Sequence, residues 1–261
     1  MPGSDLTDLS ARLAAAVREA GAVALKTFRG ELRHWTKGKD SPVSEADIAV
    51  DALLKERLST PGIAWLSEET EDDPARLDSR RVWVIDPIDG TRAYIAGLID
   101  WTVSAALVED GRPVAAALFA PATEEMFLAV RAGGTTLNGR PVRVTEGAGL
   151  AGLRISGAKR AIEAVAAREP AVDVRPRIHS LALRLARVAD GTLDAAFAAG
   201  NSRDWDLAAA DLLVHEAGGV LTTLSGETAV YNRPEPVHGP LVASGRERAP
   251  ILRDLFRARL P

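Results

Sequence analysis

Asp86 and Asp89 flank Pro87 directly after the apolar run Val82-Trp83-Val84-Ile85, and Gly90 and Thr91 follow. A strand end would fix Asp86, and a turn at the proline would swing Asp89 back toward the same point. Two carboxylates held so close repel unless one is protonated or a cation lies between them. Hard oxygen donors of this kind suit magnesium, which prefers a few carboxylates, several waters and a phosphate. The amides of Gly90 and Thr91 can face a phosphate as helix starts and nests do, and the Thr91 hydroxyl can orient a water. Asp-Pro or Asp-Gly alone more often makes a plain surface turn. The strand in front and the threonine behind favour chemistry.

Further acids are less distinctive one by one. Asp206 falls in the first turn of a helix whose apolar face holds Ala209, Ala210, Leu213 and Ala217. Taken alone it reads as an acid meeting the helix dipole. Asp47 follows Ser44 at capping-box spacing. Glu68 and Glu69 open an acidic run through Asp73, the usual mark of a solvated loop, but they follow the strand-like Ile63-Ala64-Trp65-Leu66 directly.

The elements that must hold these acids come from periodicity. Leu6, Leu9, Leu13, Val17 and Ala20 recur at helical spacing, and Gly21 tempers the helix they suggest. The polar stretch Lys37-Gly38-Lys39-Asp40-Ser41-Pro42 reads as a loop, and a helix capped by Ser44 follows. Thr102–Val108 and Pro113–Phe119 form a hairpin around Glu109-Asp110-Gly111-Arg112, and Gly133, Gly134, Asn138 and Gly139 mark further turns. Ser180–Ala189 reads as helix and Leu193–Ala198 as strand. Trp205-Asp206 opens a helix that Gly218-Gly219 closes. Val220–Leu224 and Leu241–Ala243 are the remaining strands. A composition richer in alanine, arginine and leucine past residue 148 suggests an amino-terminal half, residues 1–147, and a carboxy-terminal half, residues 148–261.

Composition excludes several functions. The 261-residue chain can bury a sizeable core, and its hydrophobic content of 46% is ordinary for a globular protein. A net charge of -4 gives no footprint for a nucleic-acid polymer, though a cation could still recruit a free nucleotide. With no cysteine there is no thiol chemistry. No membrane-length apolar stretch and no secretory signal are evident, so a soluble cytoplasmic protein is expected.

Four blocks in order, Ser41-Pro42-Val43-Ser44-Glu45-Ala46-Asp47, Leu66-Ser67-Glu68-Glu69, Trp83 to Thr91 and Trp205-Asp206-Leu207-Ala208-Ala209-Ala210, resemble the inositol monophosphatase superfamily. With Glu216-Ala217-Gly218-Gly219 the resemblance covers nearly the whole chain. It implies an α+β fold, a layered α/β/α/β/α sandwich, and a lithium-sensitive phosphatase using two or three Mg2+ ions. It implies that Glu68 is a metal ligand that also positions the attacking water, and that Asp86 bridges two metals. Ile88 gives its carbonyl, Asp89 and Asp206 hold the second metal, and Asp47 with Thr91 activates the water. The amides of Gly90 and Thr91 cradle phosphate. Lys39, or its competitor Lys37, matches a mobile-loop base, and the role of Glu69 stays open.

The ester is less legible. No glutamate stands before Trp205-Asp206 to meet inositol hydroxyls, since that stretch is Ala198 to Asp204. Lys39 to Val43, Leu66 to Glu69 and Tyr231-Asn232 with Pro234 and Pro236 are similar to the 3'(2'),5'-bisphosphate nucleotidase branch, which acts on 3'-phosphoadenosine 5'-phosphate. Arg92 to Gly97 is nearer the histidinol-phosphate phosphatases. Arg203, Arg92 and Lys159 are candidates for a second phosphate, and His179 and Ser180 for the substrate side, although a helix-starting pair is the plainer reading of the last two. Relatives are commonly homodimers. Two rivals remain. A haloacid-dehalogenase-type phosphatase wants its two acids two residues apart, a spacing that Asp86 and Asp89 do not have. A catalytically retired phosphate- or nucleotide-binding module would leave a costly acid cluster without purpose.

Overall fold

The computed structural model describes residues 2–38 and 41–257. In chain order its elements are α1 (Pro2–Leu25), β1 (His34–Lys37), β2 (Ser41–Ser44), α2 (Glu45–Leu58), β3 (Ile63–Ser67), β4 (Arg81–Asp89), α3 (Thr91–Ile95), β5 (Thr102–Glu109), β6 (Arg112–Ala120), β7 (Glu125–Val130), β8 (Gly134–Leu137) and β9 (Arg140–Val142). There follow β10 (Arg154–Gly157), α4 (Lys159–Arg168), β11 (Asp173–Val174), α5 (Leu181–Ala189), β12 (Ala195–Ala198), β13 (Ser202–Arg203), α6 (Asp204–Glu216), β14 (Gly219–Thr223), β15 (Val237–His238), β16 (Leu241–Gly245) and α7 (Ala249–Arg257).

Strands β3 to β9 form a seven-stranded sheet in sequence order, parallel only between β3 and β4. Side chains alternate faces along each strand. Trp83, Ile85, Ala105 and Leu107 therefore pack toward α1 and α2, while Val82, Val84, Ala106 and Val108 pack toward α5 and α6. Both faces are covered, which is why β5 is buried along its whole length and reads as unbroken apolar sequence. A second sheet, ordered β11-β10-β12-β16-β14, lies on the other side of α5 and α6, and α4 and α7 cover its far face. The five layers are helix, sheet, helix, sheet, helix, the α+β sandwich that the resemblance implied. The boundary near residue 148 falls in the link between β9 and β10, while the largest core cluster spans both sheets through α5 and α6.

Small residues set the layer spacing. Ala105, Ala106 and Ala115 to Ala117 meet Ala208 to Ala210 of α6 and Ala16, Ala20 and Ala24 of α1. Gly21 does not end α1. The helix runs on to Leu25, and a Cβ at Gly21 would stand 2.5 Å from Phe119 Cδ1. The glycine is there for close approach to β6 rather than for chain termination. Two other expectations also change. Lys37, Ser41 and Pro42 are strand rather than loop, because His34–Lys37 pairs antiparallel with Ser41–Ser44. Pro87 does not make a turn either. It lies inside β4, where the register with β5 slips between Asp86 and Asp89, as befits a residue with no N–H to donate. The chain turns at Gly90, whose φ of 95° favours glycine.

Gly21→Val is expected to lower unfolding free energy by about 1–3 kcal/mol, the usual cost of overpacking, despite the better helix propensity of valine. Urea midpoints of the two proteins check this.

Candidate active site

The bulge at the carboxyl end of β4 holds Asp86 and Asp89 together, and the start of α6 delivers Asp206 to the same place. One carboxylate oxygen from each lies within 4.8 Å of the others. Asp86 and Asp89 are buried, and Asp86 Oδ1 has no hydrogen-bond partner. Desolvation first, then repulsion from Glu68, Asp89, Asp206 and Asp47, pushes the Asp86 carboxyl well above the usual range. Asp206 is raised by burial and by Asp89, against the pull of the Arg203 amide and charge. Such a set suits a hard divalent cation. It offers bare carboxylate oxygen, including one orphaned buried atom, and a cation would relieve the repulsion.

Three acids of the site are also structural ties. Asp89 Oδ2 accepts from Ser180 Oγ and from the Ala182 amide, both at 2.6 Å, at the start of α5. Asp206 Oδ2 accepts the Arg203 amide at 2.7 Å, closing the first turn of its own helix. Asp47 takes the Ser44 amide at 2.8 Å, as the capping spacing suggested, and its other oxygen accepts from Thr91 Oγ1 at 3.2 Å. The Thr91 hydroxyl also reaches the Ile88 carbonyl at 3.0 Å. Asp47, Thr91 and Ile88 are thereby assembled from elements 44 residues apart. Gly90 precedes the first turn of α3, where amides lack intrahelical acceptors, and a Cβ there would stand 3.2 Å from Asp100 O and Ser180 N.

Glu68 lies outside the three-acid set but within its field. Burial, then Asp47 and Asp89, hold its carboxyl up at about 7, while Lys37 and Arg203 pull the other way. The role of Glu69, open from sequence, acquires a partner. Lys37 Nζ is ion-paired with its buried carboxylate and also donates to the Glu68 carbonyl at 3.4 Å. Lys39 lies outside the described residues. Asp51, one turn past Asp47 and unnoticed in the sequence, accepts from Ser67 Oγ and Thr70 Oγ1 and so brackets the two glutamates. An acid at i+4 from Asp47 was the only available signal.

The expected substrate-side residues divide. Ser180 is buried with its hydroxyl committed to Asp89, while the same oxygen accepts from Leu183 N. It supports a carboxylate and caps α5, the helix-starting role that the sequence also offered. His179 is bound to Asp100. Arg203 lies over the Trp205 ring, 5.9 Å from its centroid, and its charge favours the ionised forms of Glu68 and Asp206. Arg92 is exposed beside Thr91, and Lys159 is an exposed residue 3.8 Å from Glu163.

A stability consequence follows from Glu68. The unfolded chain releases this proton near the ordinary 4.5, and the metal-free fold keeps it to about 7. Between those values the folded state binds more protons, so its stability falls as pH rises. Thermal midpoints of metal-free protein should decline across this window, and Glu68→Gln should flatten the decline. Saturating magnesium should raise the midpoint most at the upper end.

The inositol monophosphatase family model matches residues 5–258. The chain is 32% identical over 262 residues to the inositol-1-monophosphatase of Rhizobium meliloti, covering 94% of this chain and 95% of that one. It is 37% identical over 233 residues to the 3'-phosphoadenosine 5'-phosphate phosphatase of Mycobacterium bovis, covering 84% and 81%. The crystal structure of the extragenic suppressor protein suhB from Bartonella henselae superposes with a TM-score of 0.85 at 27% identity, covering 95% of this chain and 98% of that one. Geometry, family model and relatives agree: the chain belongs to the inositol monophosphatase family and is a phosphatase of that family.

Proposed function

We propose that this protein releases phosphate from a small ester by direct attack of water, and that the ester carries a second phosphate, as 3'-phosphoadenosine 5'-phosphate does. The substrate reading rests on one observation, a basic hollow of about 520 Å3 whose Arg184 favours the ionised form of Asp89. Lys159, Arg175, Arg177 and Arg184 line it against a single acid, Glu163. The Arg184 guanidinium is nearly buried, donates to the Ile178 carbonyl at 3.2 Å and keeps Nε unpartnered. Unsatisfied buried guanidinium is costly, and an anion satisfies it with charge-assisted hydrogen bonds. The relative named for 3'-phosphoadenosine 5'-phosphate supports the same reading, and the one named for inositol 1-phosphate is its competitor.

Asp86, Asp89, Asp206, Glu68 and the Ile88 carbonyl would hold two or three magnesium ions, which when bound supply positive charge to the phosphate oxygens and acidity to the attacking water. Glu68 and the Thr91 hydroxyl orient that water, and the pair Thr91–Asp47 takes its proton as the new P–O bond forms and the ester P–O bond breaks. The leaving oxygen takes a proton from solvent. The amides of Gly90 and Thr91 face the phosphate. No bond to a protein atom forms at any point. A soluble cytoplasmic homodimer belongs to the same reading.

Asp206→Asn keeps an oxygen for the Arg203 amide but lacks the charge. It should reduce magnesium-dependent turnover to background with the thermal midpoint near wild type, and substantial remaining activity would sink the ligand assignment. With magnesium, 3'-phosphoadenosine 5'-phosphate should be turned over with higher kcat/KM than inositol 1-phosphate or histidinol phosphate. Arg177→Ala should raise its KM about tenfold, the worth of one charge-assisted hydrogen bond, and leave inositol 1-phosphate hydrolysis unchanged. A preference for inositol 1-phosphate would overturn the choice of ester.

A further inference from the structure

A second hollow lies away from the acids. It has a volume of about 360 Å3 and is walled by Pro113, Leu212, Val220 and Leu221, with Arg112, Arg131 and Arg246 at its rim. Its acids are already engaged. Glu216 accepts the amides of Ala132 and Gly134 through its two oxygens, and Asp211 accepts the Tyr231 hydroxyl at 2.9 Å, with burial pushing its carboxyl up to about 6. The cations have donors to spare. Arg112 gives one nitrogen to the Ala229 carbonyl, and Arg131 gives one to Glu109. No hydrogen bond or ion pair engages the Arg246 side chain among the described residues. Three guanidinium groups over an apolar wall, facing carboxyls that are bonded or partly protonated, make a seat for an anion with an apolar body.

The floor of this hollow is α6, the helix whose first turn carries Asp206. Asp211 and Asp206 are five residues apart, about 7.5 Å of helix rise. A chain of side chains links the same two regions. Tyr231, bonded to Asp211, packs its ring 5.3 Å from that of His238, and His238 Nε2 is 2.7 Å from Asp204 Oδ1. Asp204 is fully buried and also accepts the Asn232 amide. A ligand that draws on Arg112 or displaces Asp211 therefore acts on a packed path that ends at the helix start.

We propose that this hollow is an effector site for a small organic anion, a phosphonate, phosphate monoester or carboxylate with a ring or branched apolar group, and that its occupation alters turnover through α6. The inference is independent of which ester the enzyme hydrolyses. Phenylphosphonate and phenylacetate separate the two anion classes and can be titrated into the magnesium-loaded protein by calorimetry. The steady-state rate is then read at each concentration. At least one probe should bind in the millimolar range and change kcat. Arg246→Glu should weaken that binding tenfold or more and abolish the change in kcat, with the rate in the absence of probe unaltered. Arg177→Ala, in the other hollow, should leave both effects intact. Absence of saturable binding by either probe overturns the proposal, as does binding indifferent to Arg246→Glu. Binding with constant kcat and KM overturns it as well. A failure to hydrolyse 3'-phosphoadenosine 5'-phosphate bears only on the substrate.

Discussion

Mutual repulsion among buried carboxylates is the constraint on which the rest of this structure depends. Asp86, Asp89 and Asp206 offer oxygens within 4.8 Å of one another, with Glu68 close enough to raise the affinity of Asp86 and Asp206 for protons. Burying such charges costs several kcal/mol each unless something positive joins them. The fold meets that cost with many small contributions. Amides at the starts of α2, α5 and α6 each give a hydrogen bond to an acid, and Lys37 and Arg203 lend charge from the rim. Asp86 keeps a buried oxygen with no hydrogen-bond partner, which marks where a cation is most needed.

The layered architecture follows from bringing these acids together. Two of them arrive on β4 and one on α6, which is packed between the two sheets. For α6 to lie so near β5 and β6 the facing residues must be small, hence the alanines on both partners. Arg184, from the neighbouring α5, lines the basic hollow and interacts electrostatically with Asp89. The acid cluster and the basic hollow thus rest on different elements, in keeping with one family whose members carry different substrate names.

Legibility in the sequence tracked how local each cause is. The strand before Asp86, the hairpin around Asp110 and the helix ending at Gly218 are fixed by short-range pattern, and all three stand close to where the residues suggested. The ends of β1 and β2 were hidden because the residues that pair there, Lys37 with Ser41 and Thr36 with Pro42, read as loop by type. Gly21 misled in the same way, because its reason is Phe119, 98 residues away, rather than its own helix. Pro87 suggested a turn, yet β5 continues pairing on both sides of it. The bond from Ser180 to Asp89 spans 91 residues and has no sequence signature beyond a serine at a helix start. The acids themselves became persuasive only as a set, since Asp47 and Asp206 each have a bland local reading, an acid at a helix start, that the structure also fulfils.

That last point has an evolutionary side. Asp47, Asp89 and Asp206 each complete a helix start, so the residues that would do chemistry also hold the fold in place. A lineage relieved of selection for catalysis could not discard them freely, because most replacements would unfasten a helix. Asparagine is the obvious escape, since it keeps the fastening and drops the charge. An inactive descendant of this protein should therefore be betrayed by asparagines at these positions, long before its architecture drifts.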